Sequence, residues 1–190
     1  MRIRTVVFGL GVGVLSAALL FSGVVVAQAP AKPAVPAKPA ALTQTSQVHG
    51  NLIQVMRAIF FINSNVIFAA QAEDPATIEP DEFEATSPSA LKSLYGKWLA
   101  VENAGIALAE AANLLTIPGR RCSNGRPVPL QDPNWGKWVQ GLRDAGMAAY
   151  KAAQTKNQDA IVEVSETLTV ACANCHERYR DVEPLLNRCR

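Results

Sequence analysis

The chain is 190 residues long, 49% hydrophobic and 18% charged, which suits one domain with a substantial buried core and excludes a disordered chain. Twelve Gly and twelve Pro are too few for a low-complexity protein. Eighteen Lys+Arg face sixteen Asp+Glu, and no basic run exceeds two residues, so a nucleic-acid-binding stripe is excluded as well.

The first segment reads Met1-Arg2-Ile3-Arg4, an uncharged apolar run from Thr5 to Val26, then Ala27-Gln28-Ala29. A basic start, an apolar stretch and small boundary residues predict a signal peptide over 1–27, with cleavage after Ala27. An uncleaved anchor is the alternative, because about 20 apolar residues can span a bilayer. Both readings export the remainder, so a periplasmic location is expected, with membrane contact only if the segment is retained. Without residues 1–27 the chain has 16 Lys+Arg against 16 Asp+Glu and is formally neutral.

Residues 28–44 begin QAPAKPAVPAKPAAL and predict an extended Pro/Ala-rich linker. The ordered domain is expected over 45–190, with four helical segments. The first, about 47–71, has Leu52, Met56, Ile59, Phe60, Ile67 and Ala70 at three- and four-residue steps, with Asn51, Gln54, Arg57 and Asn65 on its wetter side. The second, about 89–115, follows Ser87-Pro88-Ser89 and carries Leu91, Tyr95, Trp98, Leu99, Ala104 and Leu108 as its apolar stripe. A Gly- and Pro-bearing loop over 117–131 leads to Asp132-Pro133, cap and first residue of a helix over about 133–156. Asn157 caps the last, about 158–180, with Ile161, Val164, Leu168 and Ala171. No segment alternates like a strand. The expected fold class is all-α, an antiparallel four-helix bundle.

Near the end of the fourth helix stands Cys172-Ala173-Asn174-Cys175-His176, a C-x-x-C-H motif for covalent c-type haem. On a helix, Cys172 and Cys175 lie one turn apart on one face, where two thiols can bond the two haem vinyl groups. His176 then points its imidazole at the iron as proximal ligand. By residue abundances the motif arises by chance in on the order of one chain in a thousand of this length. A thioredoxin-like C-x-x-C belongs at a helix start beside a βαβ unit, and a zinc site would need His49 and distant cysteines. A Cys172–Cys175 disulfide is disfavoured within a helix. One haem c, with its iron, is therefore expected near the C-terminus.

Four helices with C-x-x-C-H in the last, followed by Tyr179-Arg180 and no later Met, resemble the cytochrome c′ family, the class II c-type cytochromes. The resemblance spans about residues 47–181 and is carried also by Met56-Arg57-Ala58-Ile59-Phe60-Phe61 in the first helix. It implies that the first helix faces the distal side of the iron. Met56 lies where low-spin relatives place an axial Met, although Leu52 stands where such relatives often have Arg. Either Met56 ligates the iron, or it is core packing and the iron is five-coordinate, behind an apolar wall of Leu52, Ile59 and Phe60. His49, two turns earlier, is a further candidate or a surface residue.

The resemblance implies a protein that carries electrons to and from a redox partner protein, or one that binds nitric oxide or carbon monoxide. No enzymatic activity is expected, since only His49 and Arg57 offer acid–base or polar groups on the first helix. Relatives are often homodimers through helices one and two, yet neither helix shows an obvious second apolar face here. With Cys172 and Cys175 committed to haem, an exported chain is expected to pair Cys122 with Cys189, pinning the tail to the bundle. Arg180 is a candidate partner for a haem propionate. The Arg120-Arg121 and Arg126 loop is either a solvated charge run or a receptor for an acidic partner. Trp98, Trp135 and Trp138 are expected in the core or the pocket wall.

Overall fold

The computed structural model describes residues 46–189; the expected signal peptide and the expected linker lie outside them. Helix α1 spans Leu52–Ala72. Asn51 caps it reciprocally with Gln54, whose N–H donates to Asn51 Oδ1 at 3.0 Å while Asn51 N–H donates to Gln54 Oε1 at 2.8 Å. One turn into α1 the backbone widens into a π turn over Met56–Phe60, where Phe61 N–H reaches back to Met56 O. Asn63 Nδ2 donates to Ile59 O at 2.8 Å beside that turn.

The connection from α1 holds two short 3-10 turns, Glu84–Thr86 and Ala90–Lys92, and is anchored by the fully buried Ile78. Helix α2 covers Lys97–Ala111 and tightens into a 3-10 turn over Ala112–Thr116. It therefore starts eight residues later than its apolar stripe predicts. Ser93 explains the delay: its hydroxyl donates to Ala90 O at 2.8 Å, closing the preceding turn locally, and Gly96 becomes the cap. Tyr95 and Leu99, expected in the core, are consequently 64% and 45% exposed. Helix α3, Pro133–Gln154, and helix α4, Gln158–Cys175, start as expected, with the Asp132 and Asn157 side chains accepting from Asn134 N–H and Asp159 N–H. A second π turn, His176–Arg180, extends α4.

Among the described residues there is no β-strand, only an isolated bridge between Arg121 and Pro127. Helices α1 and α2, α2 and α3, α3 and α4, and α4 and α1 pack as neighbours, an arrangement compatible with an all-α bundle. Ile67, Val101, Leu108, Val139, Ile161 and Leu168 form the centre of the core. Phe61 and Ile62 lie exposed on α1, so that helix does carry solvent-accessible apolar residues.

The tightest approach is between α2 and α3. A Cβ on Gly105 would stand 2.6 Å from Tyr150 N, and one on Gly146 would stand 2.8 Å from Ala109 N. Helix propensity alone would make Gly105→Ala stabilising by about 1 kcal/mol. The clash is with backbone, so overpacking wins and the substitution is expected to destabilise by about 1–3 kcal/mol, read from urea unfolding.

Candidate functional site

A cavity of about 460 Å³ opens at the end of the domain where α1 and α3 begin and α2 and α4 finish. From α1 it takes Leu52, Ile53, Met56, Arg57, Phe60, Phe61 and Ser64; from α4 and its extension it takes Ala171, Cys172, Cys175, His176, Tyr179 and Arg180. Both sets step by four residues. An ordinary helix drifts off such a spacing at 3.6 residues per turn, but a π turn adds a residue and restores it. The two π turns thus lay straight rows of side chains along the cavity. Leu108 and Leu115 of α2 with Trp135 and Leu142 of α3 close the apolar back.

Met56, Cys172, Cys175, His176 and Arg180, picked from the sequence, all stand on this one wall. Leu52 and Phe60 join them, but Ile59 does not: the π turn rotates it out of the row, and it packs partly buried against the core. His49 is exposed and outside the cavity. Arg180 is held by a neighbouring acid, donating from Nε and Nη2 to the two oxygens of Asp181 at 2.7 Å each. Cys122 and Cys189 are bonded, with Cα atoms 4.8 Å apart, and Cys189 also reaches the cavity wall.

Burial shapes the titration of the central groups. It pushes the Cys175 thiol up to about 11, with Cys172 nearby adding to the shift, and it raises Cys172 too. Burial, reinforced by Arg180 and opposed by Asp181, lowers His176, so its imidazole is neutral at physiological pH, the form that ligates metal.

Tyr179 joins the site more closely than its sequence position suggests. Its ring packs against Trp135 and Trp138 at centroid distances of 5.0 and 5.6 Å, and its carbonyl accepts from Cys189 N–H at 2.7 Å. Its Oη is buried without a hydrogen-bond partner, and burial together with the Asp132 carboxylate raises the phenol's pKa. Its four-residue step from Cys175 was the available signal. Arg57, expected on the wetter side of the first helix or as a polar group on its distal face, lines the cavity beside Met56.

Among the described residues no three His, Cys, Asp or Glu side chains cluster to hold a bare metal ion. The donor set suits a prosthetic group that brings its own metal: two thiols one helical turn apart, an adjacent neutral imidazole, a deep apolar wall, and Arg57 and Arg180 for carboxylates. Its volume falls within the usual range for cofactor pockets, about 300–1,000 Å³. No protein-family model, curated protein or solved structure matches the chain.

Proposed function

We propose that the chain is an exported c-type cytochrome, an antiparallel four-helix bundle that carries electrons through one haem c for a redox partner protein. The observation that supports this most is the convergence of Cys172, Cys175 and His176 with Met56 on a single apolar cavity. Bound haem would supply a reversible one-electron change at its iron.

The chain's own residues do the rest. Cys172 and Cys175, one helical turn apart and kept protonated by burial, would hold the group covalently through their two sulfurs. His176 would offer a neutral imidazole to the iron. Leu52, Phe60, Leu108 and Leu115 exclude water, which favours the less charged redox state of the iron. Arg57 and Arg180 would hold the group's carboxylates, Arg180 sharing its guanidinium with Asp181. Met56 would offer its thioether to the iron in this reading. The apolar lining on either side of it supports a second reading, in which the iron is five-coordinate and admits nitric oxide or carbon monoxide.

The absorption spectrum of the oxidised protein beside Met56→Ala decides between them. Six-coordinate low-spin iron whose weak thioether charge-transfer band disappears in the variant is the expected result. Five-coordinate iron in both, with carbon monoxide bound on reduction, would overturn electron carriage through Met56 in favour of gas binding.

A further inference from the structure

The end of the domain that holds the cavity also collects arginines, of which those on the loop over 117–131 have no acid on their own segment. Residues 117–131 carry Arg120, Arg121 and Arg126 and no carboxylate. The segment folds back as a tight hairpin: Cys122 N–H donates to Arg126 O at 2.8 Å, Val128 N–H donates to Arg120 O at 3.1 Å, and Gly125 turns the corner at φ +80°. Arg120 points inward and is 4% exposed, donating to Gly50 O and Leu114 O. Arg121 and Arg126 are exposed, Arg121 donating to Gly125 O at 2.7 Å and Arg126 reaching Leu186 O and Asn187 Oδ1 at 3.5 and 3.4 Å, and among the described residues neither has a carboxylate within ion-pair distance. The Cys122–Cys189 bond and Asn124, whose Nδ2 donates to Leu186 O and Arg188 O at 3.1 and 2.6 Å, clamp the hairpin to the tail.

Between hairpin and tail lies a second cavity of about 310 Å³, with Arg126 and the exposed Arg178 on its wall. Arg178 has Asp132 only at 4.0 Å, and Glu183, also on this wall, is taken by Arg188. Tyr179 and Cys189 belong to both cavities, so a group seated here would be one side chain from the main cavity. At the other end of α1, about 30 Å away along its 21 residues, residues 73–91 carry six acids and no base. A chain expected to be neutral after export is therefore polarised, with its cationic hairpin beside the cavity.

We propose that the hairpin and the second cavity are the docking site for an acidic face of the redox partner protein, a carboxylate entering between Arg126 and Arg178. This rests on the cytochrome reading. Arginine forks pair bidentately with carboxylates, and the clamped hairpin presents them already ordered. The charge separation also turns the cavity end toward an anionic partner during encounter.

Fluorescein-labelled deca-glutamate and the haem-bearing full chain test it by anisotropy at low ionic strength. The peptide should bind, with affinity falling as salt is added. Arg121→Glu/Arg126→Glu should weaken it about tenfold, and Arg178→Glu, which leaves the hairpin untouched, should weaken it too. Lys151→Glu/Lys156→Glu, the same charge change at the far end, should leave it unchanged. Bound peptide should slow oxidation of the reduced protein by hexacyanoferrate(III). No binding, equal weakening by the arginine and lysine pairs, or unaltered oxidation would each overturn the proposal. Acid–acetone extraction of the same sample scores the cytochrome reading separately, since peptide binding needs no haem.

Discussion

Replacing Cys172 and Cys175 together by alanine is expected to abolish covalent haem retention, so that acid–acetone extraction strips all colour from a chain that otherwise keeps it. The expected effect is all-or-none because a thioether is a covalent bond, whereas apolar packing and the His176 ligand survive only while the fold does. Either single variant should keep haem through the remaining thioether. His176→Ala should keep it through both while losing the proximal ligand, visible as an altered spectrum on an intact attachment. Both thiols line the cavity, and burial keeps them protonated at neutral pH, the form that the proposed attachment would use. Haem surviving extraction from the double variant would remove the central support of the proposed function.

Loss of the Cys122–Cys189 bond should give the largest fall in stability. The bond ties residues 67 apart in sequence, and the chain-entropy relation for a loop of that length gives about 4 kcal/mol. For a domain of this size, Cys122→Ser/Cys189→Ser should lower Tm by roughly 10 °C. Asn124 and Arg126 still hold the tail through hydrogen bonds, so the hairpin loosens rather than departs. Because Cys189 touches the main cavity, the variant should also shift the haem absorption. Thermal melts with and without reductant check both; a wild type insensitive to reductant would contradict the assignment.

Four helices, two of their caps and the cysteines and histidine of the cavity wall were legible in the sequence, because each has a strong local signature. Asp132-Pro133 and Asn157 start helices by chemistry contained within three residues. The late start of α2 was not legible, because Leu91 continues the apolar stripe while Ser93 and Gly96 interrupt the backbone beneath it. The π turns were hidden for a related reason: a 3.6-residue template has no place for a widened turn, and it wrongly put Ile59 in the wall. Arg120 reads as surface charge until its carbonyl partners, Gly50 and Leu114, arrive from distant segments. Gly105 and Gly146 are ordinary helical glycines until the partner helix is laid against them.

Those two glycines divide the mechanical work of the domain. They let α2 and α3 meet backbone to backbone, and that pair shares the broadest contact among neighbouring helices, whereas α1 and α4 share the narrowest. The α2–α3 pair is thus a stiff spine, and α1 and α4, which supply most of the cavity wall, are two jaws mounted on it. Local opening concentrates where packing is thinnest. The α1–α4 seam, which lines the cavity, is therefore the one expected to open first, while the spine keeps both jaws in register.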